Sequence, residues 1–169
     1  MARSITKYGD TVLQTRASEI IDITTETQRL IDDMVETMYA SSGIGLAAPQ
    51  IGLPIRLFVA DPSFGRESND LVVMINPEIV EREGVQSELE GCLSLPGFEA
   101  KVSRPARSLV RGVDRQGKPL TIEATGLLAR IFQHEIDHLD GSLFLDHLRG
   151  LKRDLIIRKI NKLKRLKKW

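Results

Sequence analysis

The sequence predicts an α+β fold, with a mixed or antiparallel sheet packed around a central helix and further helices towards both ends. Two observations carry this expectation. Short apolar runs of strand length, closed by turns or breaker pairs, fill the middle of the chain. Helical spacing of apolar residues marks an early segment, residues 125–139 and the C-terminal stretch. A chain of 169 residues is long enough to bury a core without disulfides. No internal repeat or low-complexity linker interrupts it, so one domain over residues 1–169 is expected.

Residues 25–40 form the first expected helix, with Leu30, Ile31, Met34, Val35 and Met38 as its apolar stripe. Thr25 with Gln28 reads as its capping box, and Ser41, Ser42 and Gly43 end it. Strands are expected over 55–60 and 71–75, stopped by Asp61-Pro62 and Asn76-Pro77. More follow over 79–85, 100–102, 108–113 and 120–123, the last two joined by a turn at Asp114–Gly117. A second helix runs from about Thr125 to Leu139, with Gly141 as its stop. The third covers 152–169, with Leu155, Ile156, Ile160 and Leu163 along one side.

Composition narrows the function classes. No apolar run approaches the roughly 18 to 20 residues that span a bilayer. Residues 1–15 carry neither the apolar core of a signal peptide nor the Arg- and Ser-rich pattern of a transit peptide. A cytoplasmic protein without membrane or DNA partners is expected, and a monomer. Cys92 is the single cysteine, so it can pack, attack or ligate, but cannot form an internal disulfide. The net charge of +1 conceals an uneven distribution, with +8 from Leu151 to Trp169 and −7 over the rest. Such a tail points to a negatively charged partner.

The strongest chemical signal is His134-Glu135-Ile136-Asp137-His138. On a helix, positions i and i+4 share a face, so both imidazoles can reach one metal ion. Glu135 lies about 100° round the helix, where it can flank the metal without occupying it. A divalent ion lowers the pKa of a coordinated water from about 15.7 towards 7, and a neighbouring carboxylate can take its proton. A third protein ligand is needed. The longer HExxHxxGxxH pattern fails at Phe144, and no glutamate follows Glu135. Asp146 and His147 remain candidates, and Cys92 is the better one because a thiolate binds zinc or ferrous iron strongly.

Three segments resemble the signature motifs of the peptide deformylases. They are Gly43-Ile44-Gly45-Leu46-Ala47-Ala48-Pro49-Gln50, Glu90-Gly91-Cys92-Leu93-Ser94 and Gln133-His134-Glu135-Ile136-Asp137-His138. Their order and separations also fit, and the likeness extends over nearly the whole chain from Ile5. The resemblance implies Cys92, His134 and His138 as metal ligands and Glu135 as general base and later acid. It implies Gln50 and the backbone N–H of Leu93 as donors to a developing oxyanion. The implied reaction hydrolyses N-formyl-methionyl peptides to formate and a free N-terminal methionine. Gly45 and Gly91 would lie beside the peptide, with Ile44, Leu127 and Ile131 around the methionine side chain. Glu90 and Arg104 would form a supporting ion pair. Ligand chemistry alone favours zinc, whereas the family implies ferrous iron, replaceable by nickel, cobalt or zinc.

Two positions depart from the family pattern. Glu99 stands where several bacterial members carry a basic residue, and Arg130 where an aliphatic one is expected, either narrowing the pocket mouth or pointing to solvent. The basic helix 152–169 either packs with a solvated face or docks on the ribosome, as related bacterial enzymes are thought to do. Two other functions share parts of this pattern: a metallopeptidase cutting internal bonds, and a non-enzymatic ribosome-associated protein with a structural metal.

Overall fold

The computed structural model describes all residues, 1–169. Helix α1 (Thr25–Ala40) is followed by strands β1 (Gly45–Ala47), β2 (Leu57–Ala60) and β3 (Val72–Glu83). Next come β4 (Gln86–Gly91), β5 (Glu99–Arg104), β6 (Arg107–Val113) and β7 (Pro119–Thr125). Helices α2 (Gly126–Leu139) and α3 (Leu151–Arg165) complete the order. Five strands form one sheet in the order β1-β2-β3-β6-β7, and β4 pairs with β5 in a separate hairpin. Every strand pairing is antiparallel.

Strand β2 explains why the sheet has two covered faces. Its side chains alternate, as strand geometry requires. Phe58 and Ala60 face α2, joining Phe132, Ile136 and Leu139. Leu57 and Val59 face α1, joining Leu30, Ile31, Met34 and Met38. All four β2 residues are fully buried, which is why the run reads as uniformly apolar. A third cluster holds Leu95, Val102, Leu143–Leu145, Leu148 and Ile160 together under the hairpin.

Several boundaries differ from the sequence expectation. Helix α1 is capped by Thr24, whose hydroxyl accepts from the Thr27 N–H while Thr27 reaches back, so the box lies one residue earlier than Thr25/Gln28. Strand β3 runs through Asn76-Pro77 instead of stopping there. The ladder with β6 shifts register between Ile75 and Glu78, which accommodates a proline without an N–H. Asn76 adopts φ 51°, and its amide both accepts from and donates to the Ile20 backbone at 2.8 Å. The side chain thus replaces the ladder bonds lost at the bulge. Strands β1 and β4 were not anticipated. In α3, Ile156, Ile157 and Ile160 pack inward, whereas Leu155 stays exposed.

Helix α2 is fixed at its end and along its length. Arg56 donates to the Leu139 carbonyl at 3.1 Å and to Asp140 at 2.9 Å, a cation at a helix C-terminus. Gly141 follows in the left-handed region, φ 79°, and ends the helix as expected. The Phe132 ring packs on Phe58 with centroids 5.4 Å apart. Phe132→Ala should cost about 3–5 kcal/mol of stability, the usual range for emptying a buried aromatic site. Urea unfolding that places the variant within 1 kcal/mol of the parent, as an order-of-magnitude margin, would refute this packing role.

Candidate metal centre and its cleft

Helix α2 brings His134 and His138 to one face, their rings 5.0 Å apart and edge to face. Cys92 arrives from the opposite side, one residue after β4 ends. Its Sγ lies 3.3 Å from His138 Nε2. Ligand atoms of Cys92, His134 and His138 all fall within 4.8 Å of one another. The other two candidates are engaged elsewhere. Asp146 accepts from the Leu143 N–H at 2.8 Å, and His147 Nε2 bonds Asp137 at 2.7 Å. Phe144, where the longer motif would carry its third histidine, stacks against His134 with centroids 6.4 Å apart.

The donor set fits a divalent cation. His134 Nδ1 pairs with the Glu90 carboxylate at 2.6 Å, which fixes the ring and leaves Nε2 for a metal. Burial lowers the His138 pKa well below its ordinary range, aided by the nearby His134, so its lone pair is available. Burial also works against the His134 charge, but Cys92 and Glu90 outweigh it and hold a proton in the cluster. Such a set takes up a metal in exchange for that proton.

Glu90 is the hub of the surrounding charges. Arg104 grips it through Nε at 2.9 Å and Nη2 at 2.6 Å, confirming the expected pair. Burial alone would raise the Glu90 carboxyl, yet Arg104 and His134 bring it down to about 2. Arg104 also reaches Asp137 at 2.8 Å, tying the hairpin to α2. Arg130 joins the same carboxylate at 2.9 Å and is 5% exposed. The solvent-facing reading of Arg130 is therefore wrong: its guanidinium is drawn inward by Glu90 and the Glu88 and Leu89 carbonyls.

Glu135 is buried on the cleft side of the triad, and its Oε2 has no hydrogen-bond partner. Burial raises its pKa to about 7. The Gln50 amide is oriented from behind, its Oε1 accepting from the Ala47 N–H at 2.9 Å. Its Nε2 consequently faces Ser94 Oγ at 3.2 Å and Cys92 Sγ at 3.6 Å. The Leu93 N–H donates to no backbone acceptor.

These groups open on a cleft of about 660 Å³. Ile44, Gly45, Gly91, Leu127 and Ile131 all line it, as do Gln50, Leu93 and Glu135. Sequence reasoning missed Leu89, Phe98 and Phe64, which lie on the hairpin and on the loop after β2 and carry no motif. Glu99 stands exposed on the rim.

The polypeptide deformylase family model matches residues 2–154. The chain belongs to the peptide deformylase family. It is 54% identical over 155 residues to a peptide deformylase of Thermodesulfovibrio yellowstonii, covering 92% of this chain and 94% of that one. A relative from Acidobacterium capsulatum is 49% identical over 169 residues, covering 100% and 99%. The crystal structure of the Legionella pneumophila enzyme superposes with a TM-score of 0.92 at 44% identity, covering 99% and 98%. The Ehrlichia chaffeensis enzyme in complex with actinonin gives 0.89 at 38%, covering 97% and 98%. The chain is a metal-dependent hydrolase that removes the N-formyl group of new peptides.

Gly45 supplies a test of the cleft geometry. A Cβ there would collide with Glu135 Oε1 and approach Glu135 Cδ at 2.9 Å and Ile131 Cγ2 at 3.0 Å. Gly45→Ala should displace the carboxylate and lower kcat by about 100-fold, with unchanged circular dichroism. Parental kcat in the folded variant would show that Glu135 does not need its present position.

Proposed function

We propose that Cys92, His134 and His138 hold the metal, and that Glu135 carries the proton during hydrolysis of N-formyl-methionyl peptides. The observation that supports this most is the meeting, at the floor of one cleft, of three ligand atoms and a buried carboxylate with a free oxygen. The bound cation would polarise the formyl oxygen and make water a nucleophile near neutral pH. Glu135 takes the proton from the attacking water and delivers it to the leaving amine. Gln50 Nε2 and the Leu93 N–H receive the negative charge that builds on the formyl oxygen. A preorganised donor of this kind is worth about 3–4 kcal/mol in the transition state. Ile44, Leu127 and Ile131 enclose the methionine side chain, while Gly45 and Gly91 leave room for the peptide backbone.

The proposal extends to ferrous iron as the metal in the cell, with zinc, nickel and cobalt as substitutes, on the strength of the family resemblance. It takes residues 1–169 as one catalytic domain, monomeric and cytoplasmic. No helix is long and apolar enough to cross a membrane.

Protein purified anaerobically with ferrous iron should release formate from formyl-Met-Ala-Ser. Glu135→Ala should lower kcat by about 10² to 10⁴-fold while metal analysis shows full loading. A folded, metal-loaded parent that releases no formate but cleaves unformylated casein would overturn the assignment in favour of a peptidase.

The basic helix α3 supports ribosome docking as a second element of the reading. Arg158, Lys159, Lys162 and Arg165 are exposed on it, opposite buried Ile160. Deleting the helix would uncover the cluster around Ile160, so charge reversal tests docking more cleanly. The combined variant Arg158→Glu, Lys162→Glu, Arg165→Glu should lose co-sedimentation with ribosomes at low salt and keep turnover of a short formyl peptide. Unchanged co-sedimentation would remove docking through this face.

A further inference from the structure

We propose that Arg130 makes the first-residue pocket selective for a side chain with a hydrogen-bond acceptor near its end, so that formyl-methionine sulfoxide peptides are substrates beside formyl-methionine ones. The inference rests on the deformylase reading above and adds a chemical preference to it.

Arg130 precedes Ile131 on α2 and lines the cleft with Leu127, Leu89 and Glu90. One amino group of its fork, Nη2, donates to the Glu88 carbonyl at 3.2 Å, the Leu89 carbonyl at 3.3 Å and Glu90 Oε2 at 2.9 Å. The other, Nη1, is buried with no partner. A guanidinium does not shed its charge, so those N–H groups remain donors at any working pH. Buried donors are rarely left unpaired. Glu90 is already committed: Oε1 to Arg104 and His134, Oε2 to Arg104 and Arg130. Ile44, Leu127 and Ile131 have no polar side-chain atom to offer. The remaining source of an acceptor is the molecule that enters the cleft.

An apolar pocket with one cationic donor favours a flexible apolar side chain that ends near an acceptor. The methionine thioether is a weak acceptor and the sulfoxide oxygen a stronger one, whereas norleucine has the same reach and none. Sites built to donate a hydrogen bond discriminate against the analogue that lacks its partner. The reaction itself is unchanged. Water adds at the formyl carbon, the C–N bond breaks, formate and a free amine leave, and the sulfoxide is untouched.

The test compares kcat/KM for formyl-Met-Ala-Ser, formyl-methionine sulfoxide-Ala-Ser and formyl-norleucyl-Ala-Ser. The parent should process the sulfoxide within about tenfold of methionine and norleucine about tenfold below methionine, the worth of one charge-assisted hydrogen bond. Arg130→Leu should bring the methionine and norleucine values together and depress the sulfoxide relative to both. Arg130→Lys keeps a cation opposite Glu90 but has no second amino group, so it should fold and lose most of the discrimination. A parent that treats methionine and norleucine alike and rejects the sulfoxide would overturn the proposal, as would parental ratios in both variants. Failure of the folded, metal-loaded parent on all three peptides would instead bring down the deformylase reading on which the proposal stands.

Discussion

Everything around the metal centre depends on one carboxylate. Glu90 leaves the end of β4 and is held at once by Arg104 from β5 and by Arg130 and His134 from α2. A buried carboxylate unpaired would be neutral, and a neutral Glu90 could neither anchor two guanidiniums nor orient His134. The direct pairs outweigh the burial penalty and keep it ionised. Cys92, two residues further on, inherits its position from this clamp. Buried ion pairs are poor sources of net stability, because desolvation consumes most of the attraction. Here their value lies in registering the hairpin against the helix so that a thiolate and two imidazoles converge.

The sheet supplies a second constraint. With β2 covered on both faces, α2 sits on a surface whose opposite side is already fixed by α1. The histidines therefore project from a helix whose packing face is fully committed. Arg56 at one end and the Phe58–Phe132 contact in the middle leave it little freedom to rotate. The cleft then forms between this helix and two less regular pieces, β1 with its following 3-10 turn and the loop after Cys92.

What the sequence made legible follows from range. The i, i+4 histidines, the apolar stripe of α1 and the stop at Gly141 are local patterns, and each stands where its spacing placed it. The three motifs were legible too, and the structure brings them to one cleft. Strand β4 was not legible because Gln86–Gly91 is mostly polar and pairs only with β5. Strand β1 is three residues long and borrows its strand character from β2. Asn76-Pro77 carries the residue types of a stop, and only the side-chain bonds to Ile20 turn it into a bulge. Arg130 misled for a similar reason. Its burial depends on Glu90, 40 positions away, and nothing within α2 announces that partner.

The separation of the ligands has a mechanical consequence. Cys92 and His138 are 46 positions apart, one in a loop and the other in the core of a helix. An ion shared between them acts as a cross-link that closes a long loop, as a disulfide would in a chain that has only one cysteine. Metal loading and folding thus become one linked equilibrium: an ion that binds the folded chain alone adds its binding free energy to the stability of the hairpin–helix junction. The catalytic centre is also a fastener, and the chain that loses its ion loses a brace as well as a reaction.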